Sequence, residues 1–131
     1  MRIDWLIPCR YAELADGLAT IVGAGADVVH VSGLPAQAGV SAVVRIAGVA
    51  EPETEYQLTA QVLGPDFEPA GDALHLALRL GDRSPYNPDG WEDHVMLPLA
   101  VPFTAEEAGA HTLEVRIEER SAAVPLHVVV D

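Results

Sequence analysis

The sequence predicts an all-β fold, a two-layer antiparallel β-sandwich of the immunoglobulin-like type with about eight or nine strands. Apolar residues recur at every second position along much of the chain, which is the period of a strand with one buried face. Turn-forming residues separate these segments, and no segment has the spacing of a long helix. The connections are too short for parallel crossovers, so antiparallel pairing is expected.

The clearest pair of strands lies at residues 111–118 and 124–130. In the first, the apolar side chains and His111 share one face, while polar side chains occupy the other. The inward rows comprise His111, Leu113, Val115 and Ile117, then Val124, Leu126, Val128 and Val130. A hairpin alone is marginal in water, so these rows need a second layer to cover them.

The first third of the chain predicts short elements. Ile3, Trp5 and Ile7 form one face of a strand that Pro8 closes. Residues 11–15 favour a helical turn, and Asp16-Gly17 is a turn signal. Two short strands, at residues 18–22 and 27–31, are expected to pivot on Gly23 and Gly25.

Three further strands are predicted in the middle of the chain, separated by loops at residues 34–39, 50–54 and 64–71. Their inward rows are Val40, Ala42, Val44 and Ile46; Tyr56, Leu58, Ala60 and Val62; and Leu74, Leu76, Leu78 and Leu80. The long polar stretch 81–93 follows. The strand at 95–103 carries Pro98 and Pro102 on its outward phase, which predicts a sheet edge because proline cannot donate to a neighbour. Residues 104–107 have capping-box spacing and room for one helical turn.

Composition restricts the class of partner and the compartment. The formal charge is −13, from twenty acidic residues against seven basic ones, all arginine. Such a charge repels phosphate backbones and anionic lipid, so neither nucleic acid nor membrane is predicted as a partner. Cys9 is the only cysteine and no apolar stretch is long enough to span a bilayer, so we expect one cytoplasmic domain over residues 1–131.

The best candidate binding site is the loop from Asp82 to His94, because long sandwich loops often carry function. Its ligand-binding candidates are Asp82, Tyr86, Asp89, Trp91, Asp93 and His94. Carboxylates suit calcium, but a calcium-loop alignment puts Pro85 and Met96 at ligand positions. Trp91 and Tyr86 suit stacking on a sugar or peptide, although an aromatic that closes the loop against the sandwich is the commoner arrangement.

Catalytic motifs are not assembled in the sequence. The five histidines lack zinc-type spacing and mostly fall at outward strand positions. Residues 39–43 lack the second glycine of a nucleophile elbow, and Gly23-Ala-Gly25 does not complete a dinucleotide fingerprint. Cys9 has no neighbouring base in sequence. We therefore predict no catalytic residue, metal site or cofactor.

Two stretches resemble known domains. Residues 108–115, Ala-Gly-Ala-His-Thr-Leu-Glu-Val, are similar to the corner before the penultimate strand of immunoglobulin-like domains, and His111 stands where their tyrosine lies. Residues 9–25, together with 123–128, resemble a family of small bacterial proteins of unknown function. The resemblance implies a single β-sandwich domain and no particular activity.

These patterns favour a non-enzymatic binding or assembly module that acts through protein–protein contacts, with a homodimer as one form. Apolar residues at outward phases are the expected contact patch, namely Val43, Ala47, Leu63, Ala77 and Val129. The alternatives are a small metal-dependent hydrolase or a carbohydrate-binding domain, both using the 82–94 loop.

Overall fold

The computed structural model describes residues 1–49, 51, 54–79 and 91–131, and every regular element in these ranges is a β-strand. The strands are β1 (Arg2–Cys9), β2 (Tyr11–Ala15), β3 (Leu18–Val22), β4 (Val28–Val31), β5 (Ala36–Gly48), β6 (Tyr56–Leu63), β7 (Leu74–Leu78), β8 (Asp93–Ala105), β9 (Gly109–Ile117) and β10 (Arg120–Val130). The all-β prediction is confirmed. None of these ranges contains a helix long and apolar enough to cross a membrane.

The strands of the described ranges form three sheets. Their orders are β1-β5-β8, β4-β10-β9-β6-β7 and β2-β3. The predicted eight or nine strands were too few, since the described ranges alone contain ten. The prediction of antiparallel pairing throughout was also wrong, because β4 runs parallel to β10. The two strands are far apart in sequence, so short connections did not exclude this pair.

The hydrophobic core draws on both larger sheets. Val44 and Ile46 of β5 belong to one cluster of buried residues with Leu113 and Ile117 of β9 and Leu126 of β10. Strand β9 alternates between buried and more accessible residues, as its period-two pattern predicted. In β10 the prediction holds for Leu126 and Val128 but was wrong for Val130 at the strand end, which is 42% exposed. The inward phases predicted for β6 and β9 are likewise confirmed.

Strand β1 changes phase in its middle. A register shift between Ile3 and Trp5 leaves Ile3 opposite Ile46 and Leu6 opposite Val44. Ile3 and Leu6 therefore pack against the core, and Trp5 lies beside Arg45 on the other side. The predicted continuous face of Ile3, Trp5 and Ile7 was wrong, because an extra residue in one strand reverses the alternation.

Strand β8 lies at the edge of its sheet, as Pro98 and Pro102 predicted. It is longer than expected and takes in Thr104 and Ala105, so the predicted helical turn at 104–107 is absent. Pro125 in β10 lies outside the stretch that pairs with β4, which begins at His127. These prolines thus occupy positions where a missing N–H leaves the sheets intact.

Residues 11–15 form strand β2 and not the predicted helical turn. β2 pairs with β3, and Ala15 lies opposite Leu18 across the two-residue turn Asp16-Gly17. Both turn residues have positive φ, 53° and 75°. This is the signature of a type I′ hairpin, whose twist matches that of the flanking strands.

Most of the predicted contact patch is buried. Val43 lies between Ile7 and Pro98 on the adjacent strands, and Ala47 lies between Arg2 and His94. Both are buried because they lie in the central strand of this sheet, with neighbours on the strands at either side. Leu63 is buried as well, beside Pro69 of the following loop. Only Ala77 and Val129 of the patch are exposed, so the five residues form no common surface.

Candidate functional site

A cavity of about 230 Å³ lies where the loop after β6 meets the turn between β8 and β9. Its walls are formed by Gly64, Pro65, Glu68, Pro69, Ala70, Thr104, Glu106, Glu107 and His111. The prediction of a loop at 64–71 is confirmed. Two carboxylate-rich segments that are distant in sequence thus meet beside a buried histidine.

Backbone hydrogen bonds hold the first wall in place. The Gly64 N–H donates to the carbonyl oxygen of Glu68 at 2.7 Å, and the Phe67 N–H donates to that of Gly64 at 2.9 Å. The Thr104 N–H donates to the Ala70 carbonyl at 2.8 Å, which ties the loop to β8. Bonds within the loop therefore fix its shape, and the bond from Thr104 fixes it to the sheet.

Three carboxylates converge here, and two of them, those of Glu68 and Glu107, line the cavity. Oxygens of Asp66, Glu68 and Glu107 all lie within 4.8 Å of one another, and the three side chains are exposed. Within the described ranges, none of them forms a salt bridge with an arginine or histidine. The three carboxylates thus concentrate negative charge that no basic side chain of the described ranges neutralises.

His111 forms the deeper wall. Its side chain is 3% exposed, and its Nδ1 lies 3.0 Å from the carbonyl oxygen of Gly109. Because a carbonyl only accepts, Nδ1 carries the hydrogen of this bond. The ring also packs on Phe103, with centroids 6.0 Å apart. His111 thus bonds back to the preceding turn, as a corner tyrosine would.

The charged groups that line the cavity are therefore carboxylates, those of Glu68, Glu106 and Glu107. Such a set attracts cations or hydrogen-bond donors and repels anions. The sequence predicted neither this cavity nor its acidic residues. The signal was weak, because Asp66 and Glu68 are far from Glu107 in sequence and only the fold brings them together.

The residues predicted to bind a ligand do not assemble in the described part of the chain. Asp82, Tyr86 and Asp89 lie outside the described residues, as does most of the 82–94 loop. Asp93 and His94 belong to β8, where adjacent residues point to opposite faces. Trp91 is 64% exposed and does not pack against the sheets as expected of a loop-closing aromatic.

An ion-pair network lies beside Trp91. The Arg2 guanidinium binds both carboxylate oxygens of Glu92, with one contact at 2.7 Å, and binds Asp4 at 2.8 Å. Arg45 also binds Asp4. The hydrogen bond and charge of Arg2 hold the pKa of Glu92 below its ordinary value. The network fastens the start of β8 to β1.

Cys9 and the remaining histidines do not form a catalytic group. The Cys9 side chain is buried, and desolvation raises the pKa of its thiol, which opposes formation of the nucleophilic thiolate. His30, His75, His94 and His127 are exposed on four different strands. Of these, His30 lies 2.8 Å from a carboxylate oxygen of Asp131.

No protein-family model, curated protein or solved structure matches the chain. The resemblance to small bacterial β-sandwich proteins therefore stays a prediction.

Proposed function

We propose that the protein is a non-enzymatic binding module that associates with a second copy of itself through the β2–β3 hairpin. One observation carries the proposal. Three large apolar side chains on the hairpin, Tyr11, Leu18 and Val22, are 54%, 65% and 52% exposed. Exposed apolar groups that lie together on a small element are typical of protein–protein contact sites.

The pairing of the hairpin places these side chains on one face. Tyr11 lies directly opposite Val22, and Leu18 lies opposite Ala15. Between these two pairs, Glu13 lies opposite Thr20. The face thus alternates apolar, polar and apolar along its length. We propose that two such faces meet about a two-fold axis, since most homodimers use one patch twice.

The hairpin also offers backbone groups for pairing. Within the described part of the chain, β2 and β3 have no sheet neighbour except each other. Each strand therefore has an outer edge available to a further strand, a common mode of recognition. A side-chain face and two free edges together support association at this element.

Light scattering over a range of protein concentrations tests the proposal. At about 0.15 M salt, where charge repulsion is screened, we expect the mass to rise from the 13.9 kDa monomer towards the dimer. Leu18→Thr and Val22→Thr place a β-branched residue, which suits a strand, at each position but remove apolar surface. Each substitution should raise the protein concentration at which half of the chains are dimeric about tenfold. This corresponds to a loss of roughly 1.4 kcal/mol in the free energy of association.

Val28→Thr provides the matched control, because Val28 is 46% exposed on β4 in a different sheet. Its midpoint should stay within about twofold of the wild-type value. A mass that remains monomeric at millimolar concentration contradicts the proposed self-association. An equal weakening of dimerisation in Val28→Thr contradicts the assignment of the contact site to the hairpin.

We further propose that the two larger sheets are the layers of an immunoglobulin-like sandwich, with the hairpin as an addition. The shared core of β5, β9 and β10 supports this arrangement. So does the hydrogen bond from His111 to Gly109 at the position of the tyrosine corner. The cytoplasm is the proposed location, supported by a single cysteine that is buried and unpaired.

A carbohydrate-binding role is the second candidate, and the exposure of Trp91 favours it. An exposed indole offers an apolar face on which a sugar ring can stack. Binding on a glycan array that Trp91→Ala abolishes and Tyr11→Ala preserves would support this role. Absence of glycan binding by the wild-type protein would contradict it.

A further inference from the structure

We propose that Glu13 makes the hairpin contact dependent on protons, so that two copies associate more tightly once its carboxylate is neutral. This inference rests on the proposed self-association through β2 and β3, and it concerns the regulation of that contact. It is carried by the place of Glu13 on the hairpin and by the symmetry of a two-fold contact.

Glu13 lies at the centre of the exposed face of the hairpin. It is opposite Thr20, and the two apolar pairs described above flank this row on either side. Both side chains are exposed, whereas the alternate residues Ala12 and Ile21 are partly covered. Ala12 shares the wall of a small cavity with Pro98 of β8, so that phase of the hairpin is turned towards the sheet. Glu13 is therefore turned away from it.

The carboxylate of Glu13 has a hydrogen-bond partner but no counter-ion among the described residues. The Tyr11 hydroxyl donates to its Oε2 at 2.9 Å. A phenol is neutral at physiological pH, so this bond leaves the negative charge in place. Within the described ranges, no arginine or histidine forms a salt bridge with Glu13. The centre of a mainly apolar face thus carries an uncompensated charge.

The charged groups on the surrounding elements are engaged or lie away from this row. β3 contains none, and the guanidinium of Arg45 on β5 binds Asp4. The stem of Arg10 packs against Gly23, beyond the end of the hairpin. β8 carries its charged groups at its start, several residues before the stretch 98–100 that the hairpin meets. The groups on the hairpin turn and on β8 are Asp16, Asp93 and His94.

Two-fold symmetry determines what Glu13 meets in the proposed contact. When a patch pairs with itself about an axis through its centre, the middle row of one copy faces the middle row of the other. Glu13 then lies opposite either Glu13 or Thr20 of the second copy. Because neighbouring strands are about 4.8 Å apart, both arrangements bring the two carboxylates within about 8 Å, the Debye length at 0.15 M salt.

This approach links association to the binding of protons. Two carboxylates that come together where water is partly excluded repel each other. A proton on one of them removes the repulsion, and the neutral carboxyl can donate a hydrogen bond to the other carboxylate or to Thr20. The dimer therefore binds protons more tightly than the monomer does. By linkage, association strengthens as the pH falls.

Light scattering at about pH 7 and about pH 5, both in about 0.15 M salt, tests the proposal. Both conditions lie above the sequence pI of about 4.5, so the chain keeps a net negative charge. The wild-type concentration at which half of the chains are dimeric should fall about fivefold to tenfold between them. Glu13→Gln keeps an acceptor for Tyr11. At pH 7 it should already dimerise as tightly as the wild type does at pH 5.

Glu119→Gln is the matched control, because it removes the same charge from an exposed turn between β9 and β10. It should follow the wild-type protein within about twofold at both pH values. Equal strengthening by Glu119→Gln overturns the proposal, because overall charge would then explain the effect. Dimers that Leu18→Thr weakens but that Glu13→Gln leaves unchanged overturn this inference alone. A wild-type protein that stays monomeric at both pH values overturns the proposed self-association with it.

Carbon-detected titration of the Glu13 carboxyl gives a readout at the residue itself. At a protein concentration where the chain is dimeric, Glu13 should take up its proton at a higher pH than in a dilute, monomeric sample. The carboxyl of Glu119 should titrate at the same pH in both samples. Leu18→Thr should return the Glu13 curve towards that of the monomer. Identical Glu13 curves in dilute and concentrated wild-type protein would contradict the proposal.

Discussion

Arg2 and Glu92 show how single residues connect strands that lie apart in the sequence. The pair fastens β1 to the residue just before β8, and Asp4 and Arg45 extend it across the sheet. Both partners of the pair are about half exposed, so water and salt weaken it. Its effect is therefore clearer in titration behaviour than in overall stability.

The ion pair predicts that the unfolding free energies of the wild-type protein and Arg2→Gln differ by an amount that depends on pH. Because the folded state lowers the pKa of Glu92, the ionised carboxylate favours folding. This contribution is present above the unfolded pKa, near 4.5, and is lost as the pH falls through the lower folded pKa. We expect the difference in unfolding free energy, measured by urea titration, to be larger at neutral pH than in acid.

Arg120→Gln is the control, since it removes the same charge from an exposed position at the β9–β10 turn. Carbon-detected titration should give Glu92 a pKa below its ordinary value in the wild type and in Arg120→Gln, but not in Arg2→Gln. An unchanged Glu92 pKa in Arg2→Gln would contradict the attribution to Arg2.

The inside and outside of most strands could be predicted residue by residue. The alternation was correct for Leu113, Val115 and Ile117, because one covered face is the only demand on that strand. The expected exposure of Val43 and Ala47 was wrong, because side chains of the adjacent strands cover them on the opposite face of β5. Single-strand periodicity contains no information about the size of cross-strand neighbours.

At the scale of elements, turn chemistry was a better guide than local propensity. Residues 11–15 contain helix-forming alanine, leucine and glutamate, yet they form a strand. Asp16-Gly17 determines the outcome, because two positive φ angles favour a two-residue hairpin. Pairing with β3 then outweighs the weak helical preference of so short a segment.

Gly17→Ala should therefore loosen the hairpin selectively. A Cβ at Gly17 meets no atom within 4 Å, so the cost arises from its φ of 75° alone. A cost of about 1 kcal/mol should speed hydrogen exchange of the β2–β3 amides about fivefold. Gly33→Ala is the control. A Cβ at Gly33 also meets no atom within 4 Å, but the φ of Gly33 is not left-handed, so this variant should leave the exchange of those amides unaffected. Equal exchange rates in the two variants would contradict the argument.

At the scale of the whole molecule, sequence patterns predicted an all-β chain and most of its strands, but not how the strands assemble into sheets. The parallel pair of β4 and β10 depends on the path of the whole chain. The carboxylate group of Asp66, Glu68 and Glu107 depends on it too, since two loops must meet. Both features are products of tertiary structure, and local periodicity gives no signal for them.

The shared core predicts that the two larger sheets unfold together. Leu113 is fully buried in β9 and belongs to the same cluster as Val44 of β5. Leu113→Ala should lower the unfolding free energy by about 2–5 kcal/mol through lost burial and a cavity. In hydrogen-exchange measurements, the slowest amides of β5 should lose as much protection as the slowest amides of β9.

Val129→Ala is the control, because Val129 is exposed on β10. This substitution should lower the unfolding free energy by about 0.5 kcal/mol or less. Unchanged protection of the β5 amides in Leu113→Ala would mean that the three-stranded sheet folds independently.

The placement of β4 has a consequence for the growing chain on the ribosome. Residues 28–31 are translated early, but among the described strands their only sheet partner is formed by residues 127–130. Their backbone amides must therefore remain without that partner while the intervening strands are synthesised. Closing so long a loop also carries an entropic cost. We expect this segment to be the last to gain protection from proteases as nascent chains lengthen.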